Sequence, residues 1–121
     1  MLYAENGDEW SRKIAALYNF HCAWPNCEDT FGLGAHHVVP RGLEALALVI
    51  DNGVYLCQKH HNIVELKKGK PSYEKIMVLL IGSRRWCFLQ EERSKAIEEI
   101  TNTQKNKEDV GNEMSLTDFN L

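Results

Sequence analysis

The sequence predicts a small α+β domain, in which two short strands and a helix form a metal-bound core between N-terminal and C-terminal helices. Three observations lead to this prediction. The 121-residue chain is 44% hydrophobic and 26% charged, which is typical of a single globular domain. Two short stretches with strand signals lie between segments of helical periodicity. Cysteine and histidine residues recur around these stretches at the spacing of a metal site.

The N-terminal segment predicts a helix over residues 8–20. Asn6 and Glu9 have the spacing of a capping box, in which two side chains bond backbone amides at the start of a helix. The apolar residues that follow lie at the i, i+4, i+7 and i+8 positions of one helical face: Trp10, Ile14, Leu17 and Tyr18. We expect this face to pack on the metal-bound core.

A tetrahedral zinc site is predicted from two cysteines separated by four residues and a Cys-x2-His step about thirty residues later. The expected ligands of this structural zinc are Cys22, Cys27, Cys57 and His60. His61 is the alternative to His60. A zinc ion would add folding free energy that so small a core cannot obtain by burial alone. Cys87 lies far from these residues in the sequence, and we expect it in the core.

The two strands of the predicted core are short. β-branched residues favour a strand over residues 35–39, which Pro40 ends. Apolar residues at helical spacing predict a short helix between residues 43 and 50. A turn signal at residues 51–53 then precedes the second strand at residues 54–56. The chain next turns into a helix, which gives the order strand, connection, strand, helix.

The C-terminal flank, residues 72–106, is predicted as two helices. Ser72 would cap the first helix and Gly82 would end it. A buried strand over residues 76–81 is the alternative. Residues 107–121 contain few apolar side chains and no periodicity, and they are predicted as a flexible tail.

The stretch from Cys22 to Glu65 resembles the HNH endonuclease family, whose fold is the ββα-metal finger, also called the His-Me finger. The residues that carry the resemblance are His36-His37 on the first strand, Asn52 after the loop, and Leu56-Cys57-x2-His60-His61 at the strand-to-helix step. The family usually has Cys at the position of His60 and often Asp at that of His36, and either substitution keeps a metal ligand. The resemblance covers about a third of the chain and implies one nuclease domain over residues 1–106, with its core at 21–66.

This resemblance implies a metal-dependent DNA endonuclease that hydrolyses phosphodiester bonds, by nicking or by double-strand cleavage. His36 and His61 would hold one catalytic divalent ion, such as Mg²⁺ or Mn²⁺, and His37 would be the general base. Asn52 would position His37 or hold the loop that does so, and an Asn-Gly turn without a catalytic role is the alternative. Neighbouring strand residues point to opposite faces, so His36 and His37 can share a site only if the strand twists or ends there.

Positive charge is concentrated just after the predicted metal ligands, although the net charge of the chain is −3. In residues 57–85 the acidic residues are Glu65 and Glu74, whereas the basic ones are Lys59, Lys67, Lys68, Lys70, Lys75, Arg84 and Arg85. Phosphate binding requires a local basic face and not a basic protein. The residues expected to contact the DNA backbone are Arg41, Lys59, Lys67, Lys68 and Lys70. The alternative is that these lysines and arginines only solvate a surface.

Two other functions fit the same zinc ligands: a zinc ribbon that binds nucleic acid without cutting it, and a structural protein of a phage assembly such as packaging machinery. Neither needs the extra histidines and Asn52 that the endonuclease reading uses. Residues 115–119 are weakly similar to peptides that dock on sliding clamps, which would imply a replication partner. The sequence lacks a run of 18 apolar residues and a secretory signal, so we expect an intracellular, cytoplasmic protein, and a phage-encoded one is consistent with this.

Overall fold

The computed structural model describes residues 1–111, and their side chains as far as residue 102. Over these residues the fold is α+β, with five α-helices and one two-stranded antiparallel sheet, which confirms the predicted class. The elements follow in the order α1 Gly7–Leu17, β1 Gly34–His37, α2 Glu44–Ala47, a 3-10 helix Ile50–Asn52, β2 Gly53–Leu56, α3 Gln58–Lys67, α4 Pro71–Ile81 and α5 Ser83–Gly111.

α1 begins after Asn6, whose side-chain oxygen accepts a hydrogen bond of 2.9 Å from the amide of Glu9. The Glu9 carboxylate in turn accepts from the amide of Glu5 at 2.6 Å. The reciprocal bond of a capping box is therefore present, but it reaches one residue further back than the motif predicts. The helix ends at Leu17 rather than near residue 20, because residues 19 and 20 have positive φ angles of 53° and 61°.

The hairpin packs against α1 on one face. Trp10 and Ile14 of α1 are buried, whereas Leu17, at the edge of the same helical face, is exposed. The Trp10 indole donates a hydrogen bond of 2.9 Å to the carbonyl of Val49. Gly53 permits this close approach, since a Cβ atom there would overlap the Ile14 side chain and lie 2.9 Å from the Trp10 ring. This glycine therefore has a packing role in addition to the turn signal seen in the sequence.

The register of the hairpin separates its two histidines. His36 lies opposite Val54 and His37 lies opposite Gly53. Because alternate strand residues point to opposite faces, His37 is on the α1 side and His36 is on the α3 side. β1 ends at His37 instead of continuing through residues 35–39, because the next two amides bond Asn52 of the 3-10 helix and not a strand. The amide of Val38 donates to its carbonyl and that of Val39 to its side-chain oxygen.

The main core lies between the sheet and helices α3, α4 and α5. Each of these elements supplies fully buried apolar side chains: Val54, Leu56, Val64, Met77 and Leu89. Gly69, with a φ of +78°, lies in the turn between α3 and α4. α4 begins with Pro71 in its first turn, so Ser72 lies inside the helix and is not its cap. Gly82 ends α4 with a φ of +90°, as predicted, and the alternative of a strand in this region is excluded.

Two predictions for the C-terminal flank are corrected. Cys87 is exposed and not in the core. α5 turns Leu89 inward, and a residue two positions earlier on a helix points to the opposite side. α5 continues as far as Gly111, so residues 107–111 of the predicted tail are helical. The rest of that tail, including residues 115–119, lies outside the described residues.

Arg85 joins α5 to the hairpin and to α1. Its guanidinium donates to the carbonyl of Asp51 at 2.7 Å, to the carbonyl of Gly53, and to the hydroxyl of Tyr18 at 3.1 Å. These bonds fix the C-terminal flank against the strand that precedes α3.

Among the helices that the structure describes, none combines the length and the apolar character needed to cross a membrane.

Candidate metal centres

The four predicted zinc ligands converge at the start of α3. One ligand atom from each of the four lies within 4.8 Å of the other three: Cys22, Cys27, Cys57 and His60. The sulfurs of Cys27 and Cys57 are 3.9 Å apart, and Nδ1 of His60 lies 3.5 Å from the sulfur of Cys22 and 3.3 Å from that of Cys57. A tetrahedral zinc ion, with bonds of about 2.3 Å to sulfur and about 2.1 Å to nitrogen, keeps its ligand atoms roughly 3.6–3.8 Å apart. The distances fit a single zinc ion.

The electrostatics of this cluster favour a cation. Burial raises the pKa of Cys22 to about 11. Burial also opposes ionisation of Cys57, but hydrogen bonds from the backbone of His60 and from the other two thiols outweigh it and lower the pKa of Cys57. Three thiols this close together cannot all ionise without a cation, because their negative charges repel. A bound Zn²⁺ would remove that repulsion, so the cluster could hold a structural zinc.

The zinc cluster joins two parts of the chain. Cys22 and Cys27 belong to the loop between α1 and β1, and Cys57 is the residue before the first turn of α3. The amide of Ala23 donates a hydrogen bond of 2.7 Å to the carbonyl of Tyr55, which aligns the loop with β2. The ring of Trp24 stacks on that of His60, with centroids 4.3 Å apart and an angle of 4°. The loop and the strand-to-helix step are therefore held in contact at the site.

A second cluster is formed by His36, His61 and Glu65. One carboxylate oxygen of Glu65 lies 3.2 Å from Nδ1 of His36 and 3.3 Å from Nε2 of His61. His61 and Glu65 share one face of α3 because they are four residues apart, and His36 reaches them from β1. An octahedral ion with bonds of about 2.1 Å separates neighbouring ligand atoms by about 3.0 Å. The three side chains could therefore hold a divalent cation.

The tautomer of His36 follows from its hydrogen bonds. The hydroxyl of Tyr73 donates to the carbonyl of Val38 at 2.6 Å, so the Tyr73 oxygen accepts from Nε2–H of His36 at 3.1 Å. Nδ1 of His36 then carries a lone pair that faces the carboxylate of Glu65. Burial lowers the pKa of His36 to about 4, so the ring is neutral at pH 7. Two acceptors that face each other repel, and a cation between them would make the contact favourable.

Glu65 is the site residue that the sequence prediction missed. Its second carboxylate oxygen lies 3.1 Å from the ammonium of Lys68. Burial opposes ionisation of Glu65, but Lys68 outweighs it and lowers the pKa of Glu65. The carboxylate is therefore charged at neutral pH and suited to a metal ion. The signal was present in the sequence, because His61 and Glu65 have the i, i+4 spacing that places two ligands on one helical face.

His37 lies on the other face of the strand and has a different environment. Its Nε2–H donates a hydrogen bond of 2.9 Å to the carbonyl of Ala47, which leaves Nδ1 as an acceptor. The ring stacks on Trp10, with centroids 3.9 Å apart and an angle of 7°. Burial lowers the pKa of His37, and the nearby charge of Arg41 adds to this effect, while the bond to Ala47 opposes it. The neutral ring can accept a proton at Nδ1.

Asn52 holds the loop that positions His37. It is fully buried, and its side-chain oxygen accepts from the amide of Val39 at 2.7 Å. Its amide group donates to the carbonyls of Val39 and Leu46 at 3.0 and 3.1 Å. Asn52 therefore joins the two ends of the segment from Val39 to Leu46. The residue after this segment, Ala47, provides the carbonyl that accepts from His37. Asn52 belongs to a 3-10 helix instead of an Asn-Gly turn.

One open pocket of about 270 Å³ brings the second cluster and His37 together. The charged and titratable residues that line it are His36, His37, Arg41, His61, Glu65 and Lys68. Both histidines reach it because β1 ends at His37, which is the condition for neighbouring strand residues to share a site. Of the five residues predicted to contact DNA, only two line this pocket.

The other three basic residues lie elsewhere. Lys59 and Lys67 are each two positions from a pocket residue of α3, so they point to another side of the helix, and Lys70 precedes α4.

Comparison of the chain with protein-family models, with curated proteins and with solved structures gives no match. The resemblance to HNH endonucleases therefore remains a prediction from the residues named above.

Proposed function

We propose that this protein is a metal-dependent DNA endonuclease of the HNH type, which hydrolyses phosphodiester bonds by nicking or by double-strand cleavage. In this proposal β1, β2 and α3 are the ββα-metal unit, and the zinc cluster stabilises its base. The observation that carries the proposal is the pocket that contains a neutral histidine, His37, beside the ligand set of His36, His61 and Glu65. A protein that only binds zinc or nucleic acid has no need of this combination.

Hydrolysis of a phosphodiester requires an activated water, neutralisation of the negative charge on the phosphate, and stabilisation of the departing 3′ oxygen. A divalent ion such as Mg²⁺ or Mn²⁺, when bound by His36, His61 and Glu65, supplies positive charge for the last two requirements. The protein orients these side chains through their contacts with other residues. Tyr73 holds the ring of His36, and Lys68 holds the free oxygen of Glu65.

His37 is the proposed general base, which takes a proton from the attacking water at Nδ1. When the ring becomes positively charged, its bond to the carbonyl of Ala47 strengthens, because the donor is then an imidazolium. The face of Trp10, stacked on the ring, also stabilises the cation. Both contacts are present before the proton moves, so no rearrangement of the protein is needed.

Arg41 and Lys68 line the pocket and would contact phosphates of the DNA backbone. Contacts of this type position the backbone and carry no sequence information.

The proposal is tested by incubating supercoiled plasmid with the zinc-loaded protein and Mg²⁺, Mn²⁺ or Ni²⁺. The wild-type protein should convert the plasmid to nicked or linear DNA. The His37→Ala variant should be slower by about 10²–10⁴-fold, the usual contribution of a general base. His21→Ala is the matched control, because His21 is exposed and bonds only its local backbone among the described contacts.

The proposal fails if the wild-type protein cuts with none of these ions, or if the His37→Ala variant cuts at the wild-type rate. Binding of DNA without any cleavage would instead favour a zinc ribbon that grips nucleic acid. Absence of both binding and cleavage would favour a structural role, such as one in a phage assembly.

A further inference from the structure

A second pocket adjoins the metal pocket. It has a volume of about 280 Å³ and lies between the segment after β1, the α3–α4 turn and helix α5. Pro40 and Lys68 line both pockets, so the two are neighbours. Tyr73 lines the second pocket and bonds His36, which belongs to the first. A ligand that extends from the metal site past Lys68 would therefore enter this space.

The lining of the second pocket combines three kinds of chemistry. Val39 and Trp86 offer apolar and aromatic surface, Gln90 offers a side-chain amide, and Lys68 and Arg93 offer positive charge. Among the side chains that the structure describes, none that lines this pocket is acidic. A planar base beside a phosphate matches this combination, since bases stack on aromatic rings, amides bond base edges and cations bind phosphates.

The size of the pocket limits what can enter. Ligand sites commonly have volumes of about 300–1,000 Å³, so a pocket of about 280 Å³ suits one nucleotide and not a segment of duplex. A base that enters such a pocket cannot remain stacked and paired. A nucleotide bound in this pocket would therefore be unpaired.

We infer that this pocket receives the unpaired base of the nucleotide next to the scissile phosphate, with Trp86 as the contact for the base and Arg93 as a contact for its phosphate. The inference rests on the proposed endonuclease function and defines its substrate class: DNA with unpaired nucleotides at the cleavage site, such as single strands, flaps or gaps. Continuous duplex would bind less tightly, because a base pair must first be opened.

The experiment measures binding of a fluorescently labelled single-stranded DNA of about 10 nucleotides, which is within the usual size of a single-strand binding site. A blunt duplex of the same sequence serves as the comparison. The full-length, zinc-loaded His37→Ala protein with Mn²⁺ is used as the parent, so that cleavage does not interfere. Trp86→Ala, Gln90→Ala and Arg93→Ala are each added to this parent. Arg84→Ala is the matched control, because Arg84 is an exposed arginine of α5 that does not line the pocket.

We expect the parent to bind the single strand more tightly than the duplex. Trp86→Ala should weaken single-strand binding by about 5-fold to 100-fold, the usual range for one stacked base. Arg93→Ala should weaken it and reduce the slope of log K against log salt by about 1, whereas Arg84→Ala should leave the affinity near that of the parent. Trp86 also packs against the core, so thermal melting is measured for every variant, and Gln90→Ala and Arg93→Ala decide the result if Trp86→Ala is unfolded.

The inference is overturned if the parent binds duplex as tightly as the single strand, or if folded pocket variants bind the single strand like the control. In that case the wild-type protein can still cleave plasmid, and the proposed function stands. Failure of the parent to bind either DNA overturns both, and the plasmid experiment then shows no cleavage as well.

Discussion

Hydrogen bonds donated by Nε2–H determine which nitrogen is available on each of the two neighbouring histidines of β1. Tyr73 accepts from Nε2–H of His36, and the Ala47 carbonyl accepts from Nε2–H of His37. Both rings therefore keep Nδ1 as the nitrogen with a lone pair. On His36 this atom faces Glu65 and suits a metal ion, and on His37 it suits a proton. In the proposed function, two residues of one type would thus have different roles on the two faces of a strand.

Glu65 gives a test of the second cluster at the same scale. Glu65→Gln keeps the shape of the side chain but removes the charge, so the affinity for Mn²⁺ should fall by at least about 10-fold, the lower end of the effect of disturbing a metal site. Titration calorimetry of the zinc-loaded protein with Mn²⁺ measures this. Glu74→Gln is the control, since Glu74 is an exposed glutamate of the neighbouring helix. Equal Mn²⁺ affinity in both variants would show that Glu65 is not a ligand.

At the scale of elements, the approach of α1 to the hairpin supports His37, the proposed general base. Gly53 leaves room for the side chains of Trp10 and Ile14 against β2. The same Trp10 stacks on His37, which lies opposite Gly53 in the register. The position of the His37 imidazole therefore depends on a glycine of the other strand and on α1, which lies well before the hairpin in the chain.

Gly53→Ala tests this packing. The added methyl group collides with α1, and overpacking of this kind costs about 1–3 kcal/mol of unfolding free energy. Chemical denaturation followed by circular dichroism measures the loss as a lower midpoint with an unchanged slope. Gly34→Ala is the control in the partner strand, because a Cβ atom there meets nothing within 4 Å. If the two variants have the same stability, the close approach of α1 is not a constraint on the fold.

For the molecule as a whole, a zinc ion bound by the first cluster would compensate for a small sheet. Two strands of four residues each cannot form a stable sheet without further support. The four zinc ligands connect the loop before β1 to the start of α3, and α3 carries His61 and Glu65. Loss of the zinc would therefore release both the fold and the second cluster.

Cys57→Ser tests the zinc cluster. Cys57 is fully buried among the other ligands, so its loss should remove bound zinc and lower Tm by at least about 10 °C, which corresponds to a few kcal/mol in a domain of this size. Metal analysis and thermal melting measure the two effects. Cys87→Ser is the control, since Cys87 is exposed and lies outside the cluster. A Cys57→Ser protein that keeps both its zinc and its melting temperature would contradict the ligand set.

Local patterns in the sequence were sufficient for the α+β class, the order of the elements and the four Cys and His residues that cluster at the start of α3. Spacing along the chain controls these features, because a turn or one helical step brings such residues together. The same patterns placed Cys87 in the core, and this prediction was wrong. A helix turns only one face to the core, and composition does not show which face that is.

Tertiary structure alone decided which side chains share the pocket. The sequence named His36, His37 and His61, but the folded chain added Glu65 to them and placed Trp86 and Arg93 in the pocket beside them. These contacts join residues from the hairpin, α3 and α5, which are far apart in sequence. Their meeting depends on how the helices pack against the sheet, and no local pattern encodes that packing.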